Sequence, residues 1–191
     1  MIARLLDRLD TSSDRAAAKT IAKLEKFGRR AVPELRKALS SDSRPRVRKW
    51  TLQALGAIGD RRAAPDLVRA LRDERMTVRL HAVRGLAKMK HRPAAKAIEK
   101  LLGDPSGGIR VNAIDALRSL RVRSSGKAIA KLLDDPQWYV RQHAALACGE
   151  LSVHSSAPRL KKLLATERRK AVSNATRDSL KRLSGTKRIS H

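Results

Sequence analysis

Residues 104–117 read DPSGGIRVNAIDAL, and residues 135–148 read DPQWYVRQHAALAC. Both segments open with aspartate and proline, continue to a Val/Ile-Arg pair, and then carry apolar residues at the spacing of an amphipathic helix. They lie 31 residues apart, and the aspartate and the Val/Ile-Arg pair recur upstream at the same interval. A period of this length is typical of an array in which each two-helix unit packs on its neighbours.

Two columns of equivalent positions mark this repeat. The aspartates are Asp42, Asp73, Asp104 and Asp135, and the arginines are Arg48, Arg79, Arg110 and Arg141. An aspartate at a helix start accepts backbone N–H groups and can pair with an arginine of the same or the adjacent unit. We therefore interpret these eight residues as a structural ladder rather than as ligand-binding residues.

A second, shorter helix is predicted in every unit. Its apolar positions begin at Leu67, Ile98, Ile129 and Leu160, after a short polar break. Weaker copies of the pattern extend outward and predict about five full units with a half-unit cap at each end. The array is predicted to span 1–183 as a single domain, and residues 184–191, which have no periodicity, are expected to form a basic flexible tail.

The pattern Asp-Pro-x-x-x-Val-Arg, followed by Ala-Leu-Gly and by a second helix that ends in Leu-Leu, resembles the HEAT repeat. The resemblance is to the short form of this repeat in phycobilisome lyases, and it covers nearly the whole chain. It implies an all-α, right-handed α-solenoid with the first helices on the convex side and the second helices lining a concave surface. Such a fold by itself is almost silent on function.

The charge of the chain points to an anionic partner. Lys and Arg number 44 against 18 Asp and Glu, which gives a net charge of +26. Nucleic acid is the foremost candidate partner, although an acidic protein or an anionic membrane surface would answer the same field. The charged residues among the first ten argue against a signal peptide or a membrane span. With one cysteine no intramolecular disulfide can form, so a reducing, cytoplasmic location is expected.

A column of cations on the second helices is the candidate binding site. It reads Lys37, Arg69, Lys100, Lys131 and Lys162, and Lys96 and Lys127 lie four residues before two of its members. The column points away from the buried stripe, and neighbouring helices would space it by roughly 8–10 Å. Successive phosphates of one DNA strand rise about 3.4 Å, so such a column meets roughly every third phosphate. The outward positions of the first helices are mixed in charge by comparison.

No residues are arranged for catalysis or for metal binding. The histidines lack metal-ligand spacing, and Cys148 occupies a core position, so we predict no metal, cofactor or small-molecule substrate. Trp138 and Tyr139 either pack at a junction between units or contact a ligand. The leading hypothesis is a non-catalytic module that binds DNA or structured RNA by its phosphates. Its alternatives are a scaffold for an acidic protein and, less favoured, an enzyme like the HEAT-like DNA glycosylases.

Overall fold

The computed structural model of the protein describes residues 1–185, which contain α-helices, short 3-10 helices and no strand. The α-helices are α1 (Ile2–Asp7), α2 (Asp14–Phe27), α3 (Val32–Ser41), α4 (Pro45–Ile58), α5 (Ala64–Ala70), α6 (Met76–Lys88), α7 (Ala95–Glu99), α8 (Gly107–Ser119), α9 (Gly126–Lys131), α10 (Trp138–Glu150), α11 (Ala157–Thr166) and α12 (Lys170–Gly185). From α2 to α11 the helices alternate between the longer first helix and the shorter second helix of each repeat. The first helices are α2, α4, α6, α8 and α10, and the second helices are α3, α5, α7, α9 and α11. The all-α repeat fold expected from the sequence is confirmed.

The second helices are short because 3-10 turns take over part of their length. A 3-10 helix precedes each of them, and α7 and α9 continue into the 3-10 segments Lys100–Gly103 and Leu132–Asp134. Proline stands in the first turn of α3, α4, α5 and α11, where the missing N–H has no intrahelical acceptor to lose.

The backbone forms two compact units, Met1–Ala94 and the part that begins at Ala95. In the first unit the apolar stripes bury Leu52, Leu55, Val78, Leu86 and Leu67. In the second unit the equivalent positions are Ile109, Leu117, Val140, Cys148 and Ile129, all at most 1% exposed. Each fully buried leucine or isoleucine contributes about 1.5–3 kcal/mol of transfer free energy, so the periodic stripes supply the cores.

The break after each first helix has a repeating backbone conformation. The residues at Gly28, Gly59, Lys90, Arg121 and Ser152 have φ values of 52°, 74°, 51°, 52° and 58°. They succeed one another every 31 residues. This left-handed region suits glycine, which lacks a Cβ, and costs other residues roughly 1–2 kcal/mol. Two glycines and three non-glycine residues therefore share a positive φ, although the ψ of Gly28, −133°, differs from the 13° of Gly59.

Helices α4 and α6 approach each other closely through a pair of glycines. A Cβ placed on Gly56 would lie 2.5 Å from the Cα of Gly85. Because both positions lack side chains, the two first helices of the first unit pack with their backbones nearly in contact.

The described residues contain no helix long and apolar enough to cross a membrane. Helix α12 includes residues 184 and 185, the first two of the stretch that the sequence assigned to a tail. The remaining residues of that predicted tail, 186–191, lie outside the described residues, and the single-domain span stays a prediction.

Candidate nucleic-acid interface

The aspartate column forms a repeated turn just before each first helix. The carboxylates accept the backbone N–H two residues on: Arg44 N–H to Asp42 at 2.9 Å, Arg75 to Asp73 at 3.0 Å, Ser106 to Asp104 at 2.9 Å and Gln137 to Asp135 at 2.9 Å. The donor in each case is the N-cap residue of the following helix. The aspartates thus fix the chain as it enters the helix.

Three members of the arginine column, Arg48, Arg110 and Arg141, each reach an acid of the following repeat. Arg48 Nη2 lies 2.6 Å from Asp73, and Arg110 donates to both carboxylate oxygens of Asp135 at 2.8 Å. Arg141 makes the same reach to Glu167, at 2.6 Å. A second nitrogen of the guanidinium, Nη1, donates hydrogen bonds within the loop of its own repeat. In Arg79, Arg110 and Arg141 it donates to two backbone carbonyls of that loop. Only a planar group with five donors can do both.

The first member of the aspartate column is an exception. Asp42 pairs with Arg44, at 2.6 Å, rather than with an arginine of the column. Arg44 also lies 3.3 Å from Asp7 and 3.8 Å from Asp10. The hydrogen bond from Arg44 is the main reason that the pKa of Asp42 is below its usual value. The N-terminal segment thereby closes the array with its own ion-pair cluster.

The lysines of the second helices in the second unit are exposed and unpaired. Within residues 95–185 none of them has an ion-pair partner: Lys96, Lys100, Lys127, Lys131 and Lys162. Helices α7, α9 and α11, with the 3-10 segments that continue α7 and α9, carry them at equivalent positions. The second helices of this unit therefore present an uncompensated cationic face, which we call the lysine face.

In the first unit, the two cations of the same column, Lys37 and Arg69, differ in their ion pairing. Lys37 on α3 is exposed, and its side chain has no ion-pair partner among residues 1–94. Arg69 on α5 pairs with Asp66 of the same helix, and Asp66 also holds Arg36 of α3. Asp66 is 6% exposed while Arg69 is 74% exposed. Arg69 therefore shares its charge with a buried carboxylate, which sequence periodicity did not predict.

Several charged residues of the first helices form ion pairs with acids of the same or a neighbouring first helix. Lys88 lies 3.8 Å from Glu25, and Lys49 lies 3.8 Å from Asp14 while stacking 3.7 Å from the Trp50 ring centroid. In the second unit, Arg118 bridges Asp115 at 3.2 Å and Glu150 at 2.9 Å, and His143 lies 2.9 Å from Asp115. Within the second unit, the cations of α8 and α10 are therefore paired, whereas those of the lysine face are not.

The acids near the second helices are occupied by neighbours. Glu99 accepts a hydrogen bond of 2.5 Å from Ser125 Oγ, and Asp134 lies 3.2 Å from Arg159. Asp66 is the doubly paired residue described above. A carboxylate in these contacts is a positioning group for the repeat.

The aromatic pair Trp138–Tyr139 sits at the start of α10. The two rings meet edge to face, 5.8 Å apart, and Arg169 lies 5.8 Å from the Trp138 ring. Trp138 is 38% exposed, whereas the Tyr139 ring packs where a Cβ on Gly107 would otherwise be. The pair thus fills the junction between the starts of α8 and α10, with one ring edge open to solvent.

Chemistry other than binding has little support in the described part of the chain. Residues 1–185 contain no group of three His, Cys, Asp or Glu side chains arranged to hold a metal ion. Cys148 is fully buried, and this burial raises the pKa of its thiol to about 11. A thiol with so high a pKa is a poor nucleophile at neutral pH.

Sequence reasoning missed one regular set of cations. The turns before the first four of these second helices carry Arg30, Arg61, Arg92 and Arg123, which are exposed and separated by 31 residues each time. The signal was the same period that revealed the aspartates, but these positions lie in the polar break.

The comparisons with solved structures show the fold. The complex of CpcE and CpcF of phycocyanin lyase from Nostoc sp. PCC7120 is 23% identical, with a TM-score of 0.62, over 92% of this chain and 74% of that chain. A designed armadillo repeat protein in complex with the peptide (KR)4 is 18% identical, with a TM-score of 0.61, over 94% and 98%. A structure of computationally designed armadillo repeat proteins for modular peptide recognition is 19% identical, with a TM-score of 0.62. The match covers 95% of this chain and 99% of that chain.

No curated protein sequence matches the chain. The sequence profile of the HEAT repeats matches residues 2–79 and 95–181, which include both the ladder of bridging arginines and the lysine face. With the repeat period, the paired helices and this match in agreement, the chain belongs to the HEAT-repeat family.

Proposed function

We propose that the protein is a non-catalytic binding module that holds the phosphate backbone of nucleic acid on its lysine face. The observation that carries the proposal is the contrast in pairing. In the second unit the arginines of α8 and α10, Arg110, Arg118 and Arg141, pair with nearby acids. The lysines of the lysine face, by contrast, have no acid within ion-pair distance among residues 95–185. Like charges held close together destabilise the empty protein, and a polyanion would relieve this repulsion.

Lysine is suited to phosphates without base recognition. Its ammonium group is a flexible point charge, so it follows a backbone and carries no sequence information. The chain has only four aromatic residues, Phe27, Trp50, Trp138 and Tyr139, and the second helices carry none of them. Stacking on bases therefore contributes little, and we expect binding to be largely independent of sequence.

The number of lysines sets the expected salt dependence. If the five lysines of the lysine face each neutralise one phosphate of duplex DNA, log affinity falls with log salt at a slope of about −4 to −5. Between 50 and 200 mM salt the affinity would drop roughly several-hundred-fold. Lys37 in the first unit adds to this slope if the same molecule reaches it. Arg69 adds less, because Asp66 already shares its charge.

The experiment is fluorescence anisotropy of labelled duplex DNA, single-stranded DNA and structured RNA at several salt concentrations. The test variant is Lys100→Glu with Lys131→Glu. The matched control is Lys19→Glu with Lys23→Glu on α2, which makes the same change of charge at two exposed lysines of a first helix. Circular dichroism melts establish that both variants are folded.

We expect the test variant to lose most of its affinity and about two units of salt slope on duplex DNA, and the control to keep nearly all of both. Equal losses in the two variants would mean that net charge, and not the lysine face, governs binding. A salt response close to flat in the unaltered protein would sink the proposal.

A protein partner is the second candidate, and the structural neighbours favour it. The designed armadillo proteins are described as recognising peptides, one of them the basic peptide (KR)4. A face of lysines has the opposite preference, so the corresponding ligand here would be an acidic segment. Binding of a glutamate-rich peptide that depends on Lys100 and Lys131, without nucleic-acid binding, would support this candidate.

A further inference from the structure

Trp138, the first residue of α10, is the most exposed aromatic side chain of residues 1–185. It is 38% exposed, whereas Trp50, the other tryptophan, is 5% exposed. A tryptophan ring is among the largest apolar surfaces that a side chain can bury, so a partner that covers it gains free energy. Exposed aromatic rings of this kind are enriched where proteins bind ligands. The lysine face itself carries no aromatic ring, and Trp138 lies outside it.

The Trp138 ring is held in place by its neighbours. Tyr139 meets it edge to face, with the ring centroids 5.8 Å apart. Tyr139 is itself seated against α8, because a Cβ on Gly107 would lie only 2.5 Å from the Tyr139 hydroxyl. Gly107 thus makes room for Tyr139, and Tyr139 supports Trp138. A ring that is already positioned loses little conformational entropy when a ligand covers it.

Three consecutive cations lie beside this ring, at the start of α12. Arg168, Arg169 and Lys170 are exposed, and their side chains make no ion pair among residues 95–185. The guanidinium of Arg169 lies over the Trp138 ring, with its central carbon 5.8 Å from the ring centroid. Positions 138 and 169 are 31 residues apart, so the aromatic ring and the cation occupy equivalent places in consecutive repeats.

A buried carboxylate anchors the three cations through the backbone. Glu167 accepts the backbone N–H of Arg169 at 2.9 Å, and its side chain is 4% exposed. The same carboxylate pairs with Arg141 at 2.6 Å. Its charge is therefore engaged by Arg141, while the side chains of residues 168–170 remain available to an anion from solution.

The space between Trp138 and Arg169 is close to what a flat ring requires. Two stacked planes lie about 3.5 Å apart at van der Waals contact, so a ring between them needs roughly 7 Å. The observed 5.8 Å is about 1 Å less, and the exposed Arg169 side chain can supply that by a small rotation. A guanidinium also stacks on aromatic planes, so both walls of this space suit a nucleobase.

We infer that the starts of α10 and α12 bind an unpaired nucleotide of single-stranded nucleic acid. Trp138 and Arg169 stack on its base, and Arg168 and Lys170 hold the neighbouring phosphates. This inference rests on the proposed function and names its substrate class. The faces of bases inside a duplex are already covered by their neighbours, whereas a single strand offers them. Every base has such a face, so one stacked base adds no sequence preference.

The test uses three ligands and follows both affinity and tryptophan fluorescence. The ligands are a fluorescein-labelled strand of oligothymidine, a labelled strand of equal length whose sugars carry no bases, and a long labelled DNA duplex. Anisotropy at several salt concentrations gives affinities and salt slopes. Unlabelled copies of the same ligands are used for the fluorescence of Trp138, and Trp50 is buried and serves as the internal background.

Four variants separate the stacking ring from the cations. Trp138→Ala removes the ring, and Trp138→Phe keeps an aromatic face in its place. Arg168→Gln with Lys170→Gln removes two cations of the site. Lys19→Gln with Lys23→Gln removes two exposed cations of α2 and is the matched control for charge. Thermal melts establish that each variant is folded.

We expect oligothymidine to quench tryptophan fluorescence in the unaltered protein, and the strand without bases and the duplex not to do so. Trp138→Ala should bind oligothymidine about fivefold or more weakly, with an unchanged salt slope, because stacking releases no counterions. Its affinity for the strand without bases should not change, and Trp138→Phe should recover most of the loss. The variant without Arg168 and Lys170 should lose about 1.4 units of slope on oligothymidine.

Bound oligothymidine that leaves the fluorescence unchanged would overturn the inference, while binding that depends on Lys100 and Lys131 would leave the proposed function standing. Equal losses by Trp138→Ala on oligothymidine and on the strand without bases would have the same meaning. If Trp138→Ala does not fold, the quenching by oligothymidine compared with the strand without bases decides the question in the unaltered protein. Absence of binding to all three ligands would overturn the proposed function, and the inference with it.

Discussion

Arg110 and Asp135 form a two-pronged ion pair between consecutive repeats, with both donor-to-acceptor distances at 2.8 Å. Their side chains are only 11% and 4% exposed, so water screens the pair poorly. Asp135 is the main cause of the raised pKa of the Arg110 guanidinium. The pair therefore remains charged at every pH at which the carboxylate is ionised, and it joins one loop to the next.

Removal of either partner of this pair should leave a buried charge without compensation. We expect Arg110→Ala and Asp135→Ala each to lower the free energy of unfolding by about 3–5 kcal/mol. In urea unfolding, the double variant should lose less than the sum, by about 1–3 kcal/mol. The exposed pair Asp134–Arg159 is the control, since its coupling should stay below about 1 kcal/mol. Similar coupling in both pairs would contradict the role of burial.

Protonation of His81 should destabilise the first unit in mildly acidic solution. Burial is the main cause that lowers its pKa to about 4, and the charges of Lys49 and Arg84 act in the same direction, while Asp14 opposes them. The unfolded state, with a pKa near 6.5, binds the proton first, so stability is complete above about pH 6.5 and falls toward pH 4 by about 2–3 kcal/mol.

His81→Phe tests this, because a phenyl ring keeps the edge-to-face contact with Trp50, whose centroid is 5.6 Å away. Urea unfolding between pH 4 and 7 should show a smaller slope in the variant. Some slope should persist, since burial also lowers the pKa of His91. An unchanged slope would show that other groups dominate acid destabilisation.

The glycine contact between α4 and α6 should not accept a methyl group. The Cβ in Gly56→Ala would lie 2.5 Å from Gly85 Cα, so the two helices would have to separate. We expect a loss of about 1–3 kcal/mol, larger than the gain from helix propensity. Gly103→Ala meets no atom within 4 Å and should be neutral or slightly stabilising. Thermal melts of the two variants provide the comparison.

The left-handed turn positions should show a conflict between stability and binding. Arg121→Gly should raise the free energy of unfolding by about 0.5–1 kcal/mol, because its φ of 52° suits glycine. The same change should weaken binding of nucleic acid slightly, since one positive charge in the turn before α9 is lost. Gly59→Ala should have the reverse effect on stability, with a loss of about 1 kcal/mol. A loss of stability in Arg121→Gly would mean that contacts of the arginine side chain outweigh the strain.

The sequence was most informative where each repeat needs the same residue for the same reason. The Asp column is readable because the turn before a first helix needs a carboxylate, and the Arg column because the guanidinium spans two loops. Arg69 shows where periodicity stops being enough. It shares a column with Lys100 and Lys131, but Asp66 lies three residues before it and captures its guanidinium.

The arginines that recur in the turns before the second helices were harder to predict, because Arg30, Arg61 and Arg123 are exposed and make no ion pair within residues 1–185. Arg61 and Arg123 have the same period as the core, yet a polar break between helices normally varies freely. The left-handed conformation of Lys90 and Arg121 is equally hidden, since only Gly28 and Gly59 announce it by residue type. Local backbone geometry, rather than hydrophobic pattern, decides these positions.

Because the Arg110–Asp135 ion pair joins equivalent positions of consecutive repeats, the chain can be lengthened by whole repeats without losing such pairs. A duplicated block of residues 104–134 begins with the acceptor aspartate and contains the donor arginine. Inserted before Asp135, its arginine would face that aspartate, while the original Arg110 would face the aspartate of the copy. Every junction is regenerated, and so are two lysines of the second helix, Lys127 and Lys131. A gene that gains such a block would lengthen the bound stretch of its ligand without a new interface having to arise.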